Sequence, residues 1–109
     1  MEEKRVRVGL VGFGIVGTGV AKLILEEADS IAAKMGVRPE LACVVDMDTE
    51  RPRQVQLPPG LLTNDLNRLL NDPSITIGIE LVGGTGVAKD IQLKMLRAGK
   101  HVVTANKAL

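Results

Sequence analysis

The order of segments in this 109-residue chain predicts an α/β domain built on a doubly wound parallel sheet, with four or more strands and helices on both faces. Two observations carry that expectation. Four short apolar runs, RVRVGLVG (5–12), ELACVVD (40–46), TIGIELVGG (76–84) and HVVTA (101–105), alternate with segments of helical periodicity. Glycine clusters follow the first and third runs, where strand-to-helix turns fall due.

Each element has its own signal. After the first strand, Val16, Val20, Leu23, Ile24, Ala28 and Ile31 recur at three- and four-residue spacing, and Gly36 is placed to cap the helix they define. After the second strand, MDTERPRQVQLPPG holds Pro52, Pro58, Pro59 and Gly60 and is expected to be an exposed loop. A short helix over 65–70, capped by Asn64 and ended by Pro73, precedes the third strand. In VAKDIQLKMLRAGK the apolar positions Val87, Ile91, Leu93, Met95 and Leu96 mark an amphipathic helix with Gly99 as its stop, and NKAL begins a further helical turn. Right-handed crossovers then set the four strands near the order 3-2-1-4, with a switch point beside the first.

Composition narrows the function classes. Fourteen Lys and Arg stand against thirteen Asp and Glu, so charge offers no attraction to nucleic acid or a membrane surface. Phe13 is the only aromatic residue, which removes base-stacking platforms. No apolar run approaches the ~20 residues of a membrane span, and MEEKRVRV lacks the apolar core of a signal peptide, so a cytoplasmic protein is expected. Cys43, the single cysteine, lies in an apolar run and is expected to be a small buried hydrophobe rather than a catalytic thiol. His101 is expected to be structural, and no metal site is read.

The chemistry-bearing segments fall at strand ends. Gly12, Gly14 and Gly17 form a G-x-G-x-x-G between a strand and a helix, the context that pattern requires for binding a dinucleotide. Gly12 serves the tight turn, Gly14 close approach of a pyrophosphate, and Gly17 close packing of helix on strand; Phe13, Ile15 and Val16 complete the loop. Asp46 ends the second strand, where an acid accepts hydrogen bonds from the adenosine ribose; an Asx cap on the following loop is the alternative. It lies 46 − 17 = 29 residues past Gly17, longer than the usual ~20. Arg51 and Arg53 are expected to be solvated loop charges, the alternative being a 2′-phosphate contact. The cofactor is therefore NAD or NADP, with NAD preferred because Asp46 repels a 2′-phosphate. Gly83 and Gly84 would admit the nicotinamide-side ribose or merely make a turn. Lys107, just past the last strand, could orient a substrate oxygen or share its proton, although a lone lysine there is ordinarily a surface charge.

Taken together, the strand–GFGIVG–helix start, ELVGGTG and AGKHVVTANKAL resemble the N-terminal cofactor domain of homoserine dehydrogenase, across essentially the whole chain. The resemblance implies a Rossmann-type domain over residues 1–109 and NAD(P)-dependent interconversion of L-homoserine and L-aspartate 4-semialdehyde, in amino-acid biosynthesis. It implies that Gly12 to Gly17 hold the pyrophosphate, and that Gly83, Gly84, Thr104, Ala105 and Asn106 line the nicotinamide side with Lys107 catalytic nearby. Many members place an arginine directly before the acid of the second strand, suited to NADP; here that position is Val45, which favours NAD. The resemblance further implies a longer enzyme, homo-oligomeric through a substrate-binding portion, so this chain is expected to bind cofactor without turnover. Two alternatives stand beside it. A sugar-type oxidoreductase would show E-K-P after the fourth strand, where this chain has Thr104-Ala105-Asn106-Lys107. A nucleotide-sensing module would need no lysine at that end.

Overall fold

Among the described residues, five parallel strands in a single sheet form the frame, in the order β3-β2-β1-β4-β5. The computed structural model describes residues 4–82 and 86–105. Along the chain these are β1 (Lys4–Val11), α1 (Ile15–Met35), β2 (Val37–Val45), β3 (Leu62–Thr63), α2 (Asn67–Leu70), β4 (Ile75–Glu80), α3 (Gly86–Arg97) and β5 (His101–Thr104). This is the expected doubly wound, Rossmann-type architecture, with β1 central and the chain direction of winding reversing between β1 and β4.

The expected strand order needs correction. With four strands, 3-2-1-4 would put TIGIELVGG at the edge beside ELACVVD; that strand instead pairs with β1, from Arg7↔Ile75 to Val11↔Glu80. The edge position beside β2 belongs to β3, a two-residue strand just beyond the proline loop, paired as Val44↔Leu62 and Val45↔Thr63. Two residues carry no periodicity to detect; the strand exists because Val44 N–H finds the Leu61 carbonyl and Asp46 N–H the Thr63 carbonyl. The helix expected over 65–70 is also shorter, and Asn64 does not cap it. Its start is held by Thr63 Oγ1, which accepts from Asp65 N–H, and by Asp65 Oδ1, which accepts from Asn67 N–H.

Two cores cover the two faces. Val8, Leu10, Leu41 and Val44 meet Ala21 and Ile24 of α1, together with Phe13. On the opposite face Val11, Cys43, Val45 and Ile75 meet Leu69 of α2 and Ile91 and Met95 of α3. Sheet faces buried on both sides drive folding through removal of apolar surface from water. α1 presents Gly17, Ala21, Ile24 and Ala32, mostly small residues, so the helix lies close to the sheet. Gly36 ends it in the left-handed region at φ 71, with its N–H on the Ala32 carbonyl. α3 departs from the expected face: Ala88, Ile91 and Met95 are buried, whereas Val87, Leu93 and Leu96 are exposed. Met95 enters because Gly78 opposite it has no side chain. Cys43 is buried, as expected. Among the described residues, no helix is long and apolar enough to cross a membrane.

Candidate functional site

The carboxyl ends of β1, β2 and β4 converge on a cleft of about 410 Å³, lined by Gly12, Gly14, Asp46, Leu81 and the apolar side chains of α3 among others. The strand ends are held in common register there. Gly12 N–H donates to the Val45 carbonyl at 2.8 Å, and Leu81 N–H to the Val11 carbonyl at 2.8 Å. Between them the chain turns into α1 at Gly12, whose φ of 102 belongs to glycine and whose added Cβ would lie 2.9 Å from the Leu81 carbonyl carbon.

Among the described residues, none plugs the first turn of α1, which faces solvent. Gly14 is its N-cap with no side-chain cap, and no acidic residue occupies the first turn. Ile15 is 95% exposed and Val16 59%. Backbone N–H groups at such a start have no intrahelical partner, and with the helix dipole they favour an anion. An added Cβ on Gly14 meets nothing within 4 Å, so the backbone is open to close approach. Gly17 is the opposite case: its Cβ would press into the Gly12 carbonyl, with the carbonyl carbon 2.9 Å away.

Asp46 joins this loop to the end of β2. Its Oδ2 accepts from Phe13 N–H at 2.7 Å, and its Oδ1 accepts from Asp48 N–H at 2.9 Å. The Asx turn weighed as an alternative for Asp46 is thus present, while the same carboxylate lines the cleft. Asp48 in turn accepts from Arg51 and Glu50 N–H, and these bonds hold its carboxyl below the usual carboxylate range.

The expectation that Arg53 is a solvated charge is overturned. Its side chain is 6% exposed and forms a four-way tie: Nε donates to the Phe13 carbonyl at 3.0 Å, Nη1 to Arg51 O, Nη2 to Asp48 O, and Nη2 lies 3.4 Å from Asp46 Oδ1. Its guanidinium also stacks over the buried Phe13 ring, 4.8 Å from the centroid. A planar fork of donors suits this clustering of carbonyls better than any other side chain. Arg51 remains exposed; one of its nitrogens reaches the Phe13 carbonyl at 3.3 Å, and it lines the cleft.

The structure therefore brings together Gly12, Phe13, Gly14, Ile15, Val16, Gly17 and Asp46. Thr104 and Ala105 stand at the end of β5, two strands from β1 and outside the lining of this cleft. Gly83, Gly84, Asn106 and Lys107 lie outside the described residues. Sequence reasoning missed Met47, Asn64, Leu66 and Val82, which also line the cleft; no local pattern marks them, because the topology alone assembles them. It also assigned no role to Glu80, a buried carboxylate at the end of β4.

A family model described as homoserine dehydrogenase, NAD binding domain, matches residues 12–109. The chain belongs to this family. Among curated relatives, homoserine dehydrogenase of Bacillus subtilis is 40% identical over 106 residues, 97% of this chain and 24% of its own length. That of Methylobacillus glycogenes is 41% identical over 97% of this chain and 26% of its own length. A crystal structure of S. aureus homoserine dehydrogenase superposes with a TM-score of 0.86 at 34% identity, covering 98% of this chain and 27% of that one. The Thiobacillus denitrificans enzyme gives 0.84 at 32%, covering 98% and 25%. The chain thus spans about a quarter of the length of the relatives it matches.

Proposed function

We propose that this chain holds NAD for a homoserine dehydrogenase, at the cleft where the uncapped start of α1 meets Asp46. The observation that carries the reading is that helix start: glycine-lined, with no acidic residue in its first turn, and open at Gly14. The amides of Ile15, Val16 and Gly17 would receive the pyrophosphate, Gly12 and Phe13 shape the turn beneath it, and Asp46 would accept from the adenosine ribose. Gly83, Gly84, Thr104, Ala105 and Asn106 would line the nicotinamide side. When bound, the cofactor supplies hydride transfer for interconversion of L-homoserine and L-aspartate 4-semialdehyde. Lys107 is the residue proposed to orient the substrate oxygen or share its proton. A cytoplasmic setting accords with that biosynthetic role, and oligomerisation through further portions of the longer enzyme belongs to the same proposal.

NAD is the preferred form on two grounds. Two carboxylates, Asp46 and Asp48, stand at the end of β2, and Arg53, engaged with three backbone carbonyls, is unavailable to a 2′-phosphate. Arg51 alone, exposed at the cleft, offers NADP a counter-charge, which leaves NADP a weaker ligand rather than an excluded one. Calorimetry with NAD, NADP and ADP tests both levels. Binding in the order NAD, then NADP is expected, with ADP weaker than NAD. Failure to bind any of the three removes the proposal; ADP binding as tightly as NAD removes the nicotinamide end of it.

A further inference from the structure

At the carboxyl end of β4 sits a carboxylate that lies outside the lining of the cleft. Glu80 is fully buried. Its Oε2 accepts from Val82 N–H at 2.6 Å, and its Oε1 accepts from Gln92 Nε2 at 2.9 Å and from the Thr104 hydroxyl at 2.7 Å. These donors, among the described residues, come from three elements: the extension of β4, the middle of α3, and the last residue of β5. Placing an ionisable acid in a dry site is unfavourable unless such donors surround it, and an apolar residue would fill the same space without that requirement.

The direction of these bonds gives the acid its meaning. Pairing between β4 and β5 runs from Ile77↔His101 to Glu80↔Thr104 and ends there. At that last pair the Glu80 side chain adds a second tie, joining Val82, two residues past it on the β4 side, to the side chain of Thr104, where the ladder stops on the β5 side. Val82 immediately precedes Gly83 and Gly84, and Thr104 immediately precedes Ala105, Asn106 and Lys107. We infer that Glu80 is a positioning residue for the nicotinamide end of the site, its carboxylate fixing the exits of β4 and β5 relative to each other. The inference rests on the reading of the site given above and assigns Glu80 no contact with cofactor or substrate. A carboxylate accepts on both sides of this tie. A glutamine presents one accepting oxygen and one donating amide. With its oxygen on Val82 N–H, the Thr104 hydroxyl and the Gln92 amide must turn to accept, and neutral bonds replace charge-assisted ones.

The test compares NAD, ADP-ribose and ADP by calorimetry on the full 109-residue chain and on Glu80→Gln, with a thermal melt of each. The ratio of NAD to ADP-ribose affinity reports the grip on nicotinamide alone. In Glu80→Gln, NAD should weaken about tenfold while ADP-ribose and ADP stay within about twofold, since one charge-assisted bond is at stake and it acts only at that end. A parallel loss for all three ligands, or an unchanged ratio, would mean that Glu80 merely supports the fold and would overturn the inference. Wild-type protein that binds none of the three fails the site reading itself, and wild type that binds NAD no better than ADP-ribose leaves Glu80 nothing to position; both overturn the inference. Should Glu80→Gln not fold, Gln92→Leu removes one donor at nearly constant volume. It should weaken NAD by about threefold with ADP unaffected, and an unchanged ratio there is equally fatal.

Discussion

Replacing Gly14 by alanine separates binding from folding in one substitution. Gly14 adopts φ −85 and ψ −152, which an alanine can also adopt, and its added Cβ meets nothing within 4 Å. Alanine lowers the conformational entropy of the unfolded chain, stabilising by about 0.4–1 kcal/mol, but it is a poorer N-cap than glycine by a comparable amount. The two effects nearly cancel, so Tm should move by no more than about 3 °C. The ligand meets a different situation. A methyl group at this point stands where the pyrophosphate would close on the amides of the first turn. Loss of one or two charge-assisted hydrogen bonds, at about 1.5–3 kcal/mol each, corresponds to roughly 100-fold weaker binding. ADP should suffer as much as NAD, because both carry the diphosphate. Gly17→Ala is the control: its Cβ strikes the Gly12 carbonyl, and the protein should lose about 3 kcal/mol of stability, near the upper end for overpacking against rigid backbone. Calorimetry and thermal melts on the two variants decide. Gly14→Ala protein that binds NAD within threefold of wild type would show that the anion does not sit on this helix, and the site assignment would fall with it.

Three further outcomes are expected. Arg53→Ala should lower stability by about 2 kcal/mol, some 10 °C in Tm, because it strips a buried guanidinium from Asp46 and three carbonyls; Arg53→Lys should rescue little, having no fork to span them. Full recovery in the lysine variant would show that charge rather than geometry holds the loop. Burial pushes the Cys43 thiol above its ordinary value, so native protein should react with a thiol reagent only slowly at neutral pH and rapidly once unfolded; fast native labelling would contradict the packing of that face. Asp48 lies on the other side of the titration scale. Its folded carboxyl titrates below its unfolded value, so its contribution is complete above the ordinary carboxylate range and is lost as pH falls through the folded value. The Tm difference between wild type and Asp48→Asn should therefore be constant near neutrality and shrink below about pH 4; a gap that persists to pH 3 would discount the ionised form.

Much of this fold was legible because its punctuation is local. Gly36 and Gly99 stop helices at positive φ, and the apolar runs locate β1, β2, β4 and β5 within a residue or a few. Glycines 12, 14 and 17 announced a strand-to-helix turn, and the structure gives each a different physical reason for being glycine. What escaped was built by distant parts of the chain. β3 is a strand only because β2 offers it partners, and its two residues look like any others beyond a proline-rich loop. Arg53 sits among polar loop residues and is buried by Phe13, forty positions earlier. On α3 the apolar residues outnumber those the sheet can cover, so periodicity overstated the buried face, and Gly78 decided which side chain enters. Glu80 did carry a signal: an acid within TIGIELV is out of place unless something is bonded to it.

The long spacing between Gly17 and Asp46 shows why a motif distance is a proxy for a contact rather than a requirement. The intervening chain is taken up by a 21-residue helix and a nine-residue strand, both lengthened at ends remote from the cleft. At the cleft itself the acid lies 2.7 Å from the Phe13 amide, so the extra residues cost the site nothing. An ionised carboxylate offers about four accepting positions. Asp46 commits one to Phe13 and one to Asp48, with Arg53 nearby as a cation, and retains acceptor capacity toward the cleft it lines. The atom group proposed to read the ribose is thus the one that fixes the glycine loop. The two ends of the adenosine diphosphate would be gripped by a single hydrogen-bonded unit, so a change that displaces Asp46 should disturb diphosphate and ribose recognition together.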